Sequence, residues 1–128
     1  MSTVLLDTHV VHWWSSEPEK LSGEATAVIE AADELAVSAI SWFELAWLAK
    51  HERIALATPV RSWLEELARD LRTVGLSPAI ADAAVALPST FPGDPADRII
   101  GATALVEGIP LVTADEGIRR SKALPTIW

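Results

Sequence analysis

Asp7, Glu44, Asp97 and Asp115 are four acids, spread along a chain of 128 residues, that share one kind of setting. Asp7 closes the apolar run Val4-Leu5-Leu6, and Asp115 follows Leu111-Val112-Thr113-Ala114. Glu44 falls in the first turn of the helix expected after a second apolar run, and Asp97 in the first turn of a later helix. In an open α/β sheet, ligands bind outside the carboxyl ends of the strands. Adjacent strands would therefore bring these four carboxylates to one spot. Several carboxylates within a few ångströms repel, and one or more takes up protons unless a cation neutralises them. Hard oxygen donors without cysteine, in a site with room for water and phosphate, suit Mg2+ or Mn2+.

The acids also have ordinary structural readings. Ser41 and Glu44 form an S-x-x-E capping box, Asp94 before Pro95 makes a good N-cap, and an acid in a first turn meets the helix dipole favourably. Capping leaves unexplained why short apolar strands repeatedly deliver an acid to the same edge.

The elements that must position these acids alternate along the chain. Brief apolar strands are expected at Thr3 to Leu6, Leu35 to Val37, Thr73 to Leu76 and Pro110 to Thr113, as buried parallel strands should be. Helices are expected at Gly23 to Ala32, Trp42 to His51, Pro59 to Leu71 with Thr58 as cap, Ala79 to Leu87, and Pro95 to Glu107 stopped by Gly108. No linker, repeat or low-complexity tract interrupts the pattern. The reading is one α/β domain over residues 1–128, with a parallel sheet covered on both faces.

Composition bounds the function. A chain that is 50% hydrophobic and 22% charged is too apolar for disorder and too punctuated for a membrane protein. Its longest apolar stretch, Leu35 to Ala49, is broken by Ser38, Ser41 and Glu44, and no leader-like segment opens the chain, so a cytoplasmic location is the default. The absence of cysteine excludes thiol and zinc-thiolate chemistry. A net charge of −8 argues against a broad cationic face for nucleic acid, so any such chemistry must be local.

The order Asp, Glu, Asp, Asp in these contexts resembles the PIN-domain ribonucleases, specifically the VapC-like toxins of type II toxin-antitoxin systems. The matching segments are Leu5-Leu6-Asp7-Thr8-His9, Ser38 to Leu45, Asp94 to Ala104 and Leu111 to Asp115. The first and last are weak alone, but the four in this order are specific. The resemblance implies a PIN-like three-layer α/β/α sandwich with a central parallel sheet, and a Mg2+-dependent endoribonuclease in which Mn2+ can substitute. It implies Asp7 and Asp97 as the metal ligands, with Glu44 and Asp115 completing the acidic cluster. The segment around Asp97 also offers Asp94. Asp97 is the better match because the small residues Gly101-Ala102-Thr103-Ala104 follow it, whereas Asp94 fits an N-cap that can still approach the cluster.

The implied chemistry is hydrolysis of an RNA phosphodiester, with the cation activating water and stabilising the leaving oxygen. Thr8, Ser41 and Thr113 stand beside the acids and could orient carboxylates or water, or serve as turn and cap hydroxyls. Arg98 could contact a phosphate or be a solvated or ion-paired side chain. His9 and His12 are not expected to bind a hard cation, although either could meet RNA or shuttle a proton. Arg119-Arg120-Ser121-Lys122 is the one dense basic run, a candidate phosphate contact or an ordinary solvated helix face.

Six tryptophans are too many to bury fully in so small a core. The resemblance implies a homodimer and a groove on the early helices for a cognate antitoxin, where Trp13, Trp14, Trp42 and Trp47 would lie. A haloacid dehalogenase fold is a poor fit, since His9 stands where its second Asp belongs. A receiver domain fits no better, lacking the lysine after a late strand. A non-catalytic binding module that keeps the PIN fold remains the alternative, and metal-dependent cleavage separates it from the enzyme.

Overall fold

The computed structural model describes residues 2–128. Strand β1 (Thr3–Leu6) passes through the single residue Asp7 into helix α1 (Thr8–Ser16). A 3-10 turn at Pro18–Lys20 and helix α2 (Gly23–Ala31), capped by Ser22, lead to β2 (Glu34–Ser38). Then follow α3 (Ala39–Lys50), α4 (Val60–Ala68), β3 (Arg72–Val74), α5 (Pro78–Ala86), α6 (Pro95–Glu107), β4 (Leu111–Val112), α7 (Glu116–Ser121) and β5 (Thr126–Ile127).

The five strands pair in parallel in the order β3-β2-β1-β4-β5. The chain leaves β1 in one direction through β2 and β3, then returns to its other side at β4. The crevice at the carboxyl ends of β1 and β4 is therefore the switch point where such sheets bind ligands. Because strand side chains alternate faces, Val4, Leu6, Val37 and Val112 pack under α1 to α4 with Val10, Val11, Ile29, Leu45 and Trp63. Leu5, Ala36, Val74 and Leu111 pack on the opposite face with Ile80, Ile100, Ala102 and Ile118 of α5, α6 and α7. Each fully buried aliphatic side chain contributes about 1.5–3 kcal/mol. The result is the expected three-layer α/β/α sandwich.

Helix α6 coincides with its expected span. Asp94 caps it, Pro95 occupies the first position, and Gly108 ends it in the left-handed conformation (φ 68°) that glycine adopts without penalty. Other expectations are corrected. Helix α3 begins at Ala39 with Ser38 as its cap, so Ser41 and Glu44 do not form a capping box and Glu44 lies in the second turn. Thr58 does not cap α4, which starts at Val60 after Pro59 without a side-chain cap. Helices α1 and α7 and strand β5 went unassigned in the sequence: α1 starts directly at the strand end with no turn residue to announce it, and the other two are very short. No helix among the described residues is long and apolar enough to cross a membrane.

Gly101 faces the loop that carries Asp94. A Cβ at this position would meet the Phe91 ring at 2.6 Å and Leu124 at 3.2 Å, and Phe91 is almost fully buried. Gly101→Ala is expected to destabilise the fold by about 1–3 kcal/mol through overpacking. Urea denaturation checks this; an unchanged midpoint would mean that the loop yields freely.

Candidate active site

Asp7 sits at the centre of the sheet edge and is only 3% exposed. Its Oδ1 accepts the Thr8 backbone N–H at 2.8 Å, capping α1, and its Oδ2 accepts the Thr113 hydroxyl at 2.7 Å. Thr113 Oγ1 in turn accepts the Asp115 N–H at 3.0 Å, and an Asp115 carboxylate oxygen caps α7 through the Ile118 N–H at 2.9 Å. One fully buried hydroxyl thus ties the ends of β1 and β4 together.

On the other side of β1, Thr8 Oγ1 donates to Glu44 Oε1 at 2.6 Å and lies 2.9 Å from Ser41 Oγ. Ser41 is fully buried one helical turn before Glu44, so its hydroxyl locks the α3 register against α1. Burial raises the Glu44 pKa above its ordinary value, with Thr8 opposing and the charges of Asp7 and Asp94 adding to the rise. Asp94 accepts the N–H groups of Ala96 and Asp97 at 2.8 and 3.2 Å, the N-cap its setting suggests. Asp97, in the first turn of α6, is half-buried. Burial, followed by the charges of Asp7, Asp94, Asp115 and Glu44, pushes its pKa up from 3.8 to about 7.

The fold therefore brings all four sequence-identified acids, with Asp94, into one electrostatic neighbourhood at the switch point. Capping and clustering are not alternatives here, because Asp7, Asp94 and Asp115 each cap a helix whose N-terminus points at the cluster. Among the described residues, no three acid or imidazole side chains form a ready-made metal-ligand set. The donors are all carboxylate oxygens under mutual repulsion. They fit a hard divalent cation that is held by one or two carboxylates and keeps most of its water.

Two neighbours behave differently from the sequence expectation. Arg98 does not face the cluster. Its guanidinium donates to the carbonyls of Ala84 (3.1 Å), Leu87 (2.5 Å), Phe91 (3.5 Å) and Pro92 (3.3 Å), clamping the end of α5 to the loop before α6. The phosphate-contact reading is thus replaced by that of a clamp for the Asp94 loop. His9 is more involved than its spacing suggested. Its Nε2 accepts the Ala114 N–H at 3.0 Å, which leaves the ring proton on Nδ1, 3.7 Å from Asp7 Oδ2. His12 points away to Glu17 at 3.5 Å, and burial holds its pKa below the ordinary value.

Most of the tryptophans are packing residues. Trp63 is core, while Trp14, Trp42 and Trp128 pack against it. The Trp13 ring lies between His9 and Trp128, with ring centroids at 4.9 and 5.7 Å. Of the four on α1 and α3, Trp47 is the most exposed, beside Phe43, while Trp13, Trp14 and Trp42 are partly buried.

A family profile described as the PIN domain matches residues 4–124. The chain is 62% identical to Ribonuclease VapC22 of Mycobacterium tuberculosis over 130 aligned positions, covering the whole of both chains. Among solved structures, it is similar to a toxin-antitoxin complex from Klebsiella pneumoniae (TM-score 0.66, 24% identity, 88% of this chain and 86% of that one). It is also similar to VapBC-1 from nontypeable Haemophilus influenzae (TM-score 0.73, 17% identity, 97% and 96%).

Proposed function

This chain belongs to the PIN-domain family, and from that premise we propose that it is a Mg2+-dependent endoribonuclease, the toxin of a type II toxin-antitoxin pair, acting in the cytoplasm. Mn2+ is the expected substitute. The observation that carries the reading is the convergence of Asp7, Glu44, Asp97 and Asp115 from four separate segments at one switch point, where burial and then the charges of its neighbours raise the Asp97 pKa. Identity to a ribonuclease along the whole chain supports the same conclusion.

In this reading Asp7 and Asp97 would hold the cation, with Glu44 and Asp115 completing the acidic cluster around it. When bound, a divalent ion supplies the Lewis acidity that polarises a phosphate and makes water a nucleophile near neutral pH. The chain itself supplies orientation. Thr113 holds one Asp7 oxygen, and Thr8 holds Glu44 Oε1, leaving Oε2 free to accept a proton from water. Buried Ser41 keeps that pair in register. Such supporting hydrogen bonds are typically worth 10–100-fold in metal affinity or activity.

The partners of this reading are RNA, an antitoxin protein and a second copy of the chain. Two apolar clefts suit protein partners. One, of about 280 Å3, is lined by Phe43, Glu44, Trp47 and Leu48; another, of about 310 Å3, includes Leu76, Val85 and Ile99.

The test is cleavage of structured and unstructured RNAs by the purified protein with Mg2+, Mn2+ or EDTA. Cutting in either metal that EDTA abolishes is the expected result. Cutting that persists in EDTA, or no cutting of any RNA by folded protein, would sink the proposal; the second outcome would favour a non-catalytic binding module.

A further inference from the structure

Three of the ten cations of this acidic chain stand within four positions at Arg119, Arg120 and Lys122, directly beyond Asp115. Elsewhere Lys20, Arg61 and Arg72 are paired with Glu17, Glu65, and Glu34 and Glu107, Arg98 is spent on carbonyls, and Lys50, Arg53 and Arg69, also without an ion pair among the described residues, lie at or just beyond the C-terminal ends of α3 and α4. Within the run, Arg120 turns back to Glu116 at 3.6 Å. Arg119 and Lys122 are exposed and pair with no carboxylate among the described residues.

Their positions are ordered. Ile118 is fully buried and fixes which side of α7 faces the core. Asp115 caps the N-terminus of α7, Arg119 lies one turn along it, and Lys122, in the left-handed conformation (φ 53°), caps its C-terminus. The series starts at an acid of the active site and ends at the C-cap, about 10 Å further along the helix axis. An open cleft of about 320 Å3 beside α7 is lined by Glu116, Arg119, Arg120 and Lys122. Phosphates neighbouring a scissile one need local cations, because a net charge of −8 repels the strand everywhere else.

We propose that Arg119 and Lys122 form a phosphate track that guides the RNA strand into the acidic cluster. The proposal rests on the ribonuclease reading of that cluster. Neither side chain reaches the reacting phosphate; they position the strand that carries it.

The experiment compares Arg119→Gln/Lys122→Gln with Arg61→Gln/Arg69→Gln, which makes the same change in net charge on α4 and its C-cap. An RNA cut by the wild type is titrated at several KCl concentrations. The track variant is expected to raise KM roughly tenfold with kcat nearly unchanged, and to flatten the dependence of log(kcat/KM) on log[KCl] by about 1.4, the worth of two single-strand contacts. The control pair should change neither. Equal effects from both pairs, or a fall in kcat at constant KM, would overturn the proposal. Anisotropy of a labelled single-stranded RNA in EDTA reads the track without cleavage. Binding that weakens only in the track variant upholds it even if no RNA is cut, whereas indifference of binding to both pairs overturns it. Tighter binding of poly-glutamate than of RNA at this face would assign it to an acidic protein segment and also overturn the proposal.

Discussion

Asp97→Asn is expected to lower RNA cleavage by roughly three orders of magnitude, and yet to raise the melting temperature of the metal-free protein at pH 8. The loss of activity corresponds to the several kcal/mol that a bound cation supplies to such a reaction. The gain in stability follows from the sign of the pKa shift. The folded chain holds the Asp97 proton up to about pH 7, whereas the unfolded chain releases it near 3.8. Folding is therefore penalised progressively as pH rises from about 4 to 7, and the full penalty persists above that window. Water reaching this half-buried group screens much of it, leaving about 1–2 kcal/mol and a few degrees in melting temperature. Asparagine removes the penalty, so the gain should be present at pH 8 and absent at pH 4 in EDTA. By the same logic, the stabilisation of the wild type by Mg2+ should be larger at pH 8 than at pH 6. Thermal melts at these pH values check both; a variant less stable than wild type at pH 8 would mean that the cluster is not strained.

Asp7→Asn is expected to abolish cleavage to a similar extent with the opposite effect on stability. Asp7 is nearly inaccessible, and both its oxygens accept hydrogen bonds. The asparagine carbonyl can keep the Thr8 N–H, but its amide then faces the Thr113 hydroxyl, whose oxygen already accepts the Asp115 N–H and whose own proton loses its acceptor. Leaving a buried donor unmatched costs about 1–3 kcal/mol. The loss should be clearest at pH 5.5, where Asp97 holds its proton and relief of repulsion offsets little. Melts at pH 5.5 and 8, with circular dichroism to confirm the fold, separate the two variants. Equal shifts in the same direction would show that the two acids occupy equivalent environments.

Asp7, Asp97 and Asp115 were legible in the sequence because each follows a short apolar run or stands in a first turn, whereas Glu44 was found although α3 begins a turn earlier than its sequence suggests; helix α6 was legible to the residue because Asp94, Pro95 and Gly108 mark both its ends. The supporting network was less so. Ser41 reads as a cap beside Glu44, and only the tertiary contact with Thr8 shows that it sits inside α3. Arg98 beside Asp97 reads as a phosphate contact, yet the carbonyls left open at the end of α5 attract it away from the site. His9 gave no signal beyond its nearness to Asp7, because its partner Ala114 is a backbone group 105 positions away. Local rules reveal which residues begin and end elements. They are silent on side chains recruited from across the sheet.

The bond from Thr113 to Asp7 spans 106 positions, which sets when this molecule can become dangerous to RNA. The first acid is made long before Thr113, but its oxygens are fixed only after β4 has docked against β1, a long-range pairing that comes late because closing so large a loop costs entropy before any contact repays it. A chain still leaving the ribosome, or one cut before Thr113, has its first acids in hand and no assembled centre. The topology thus acts as a clock, delaying assembly of the acidic centre until β4 has been made and has docked against β1.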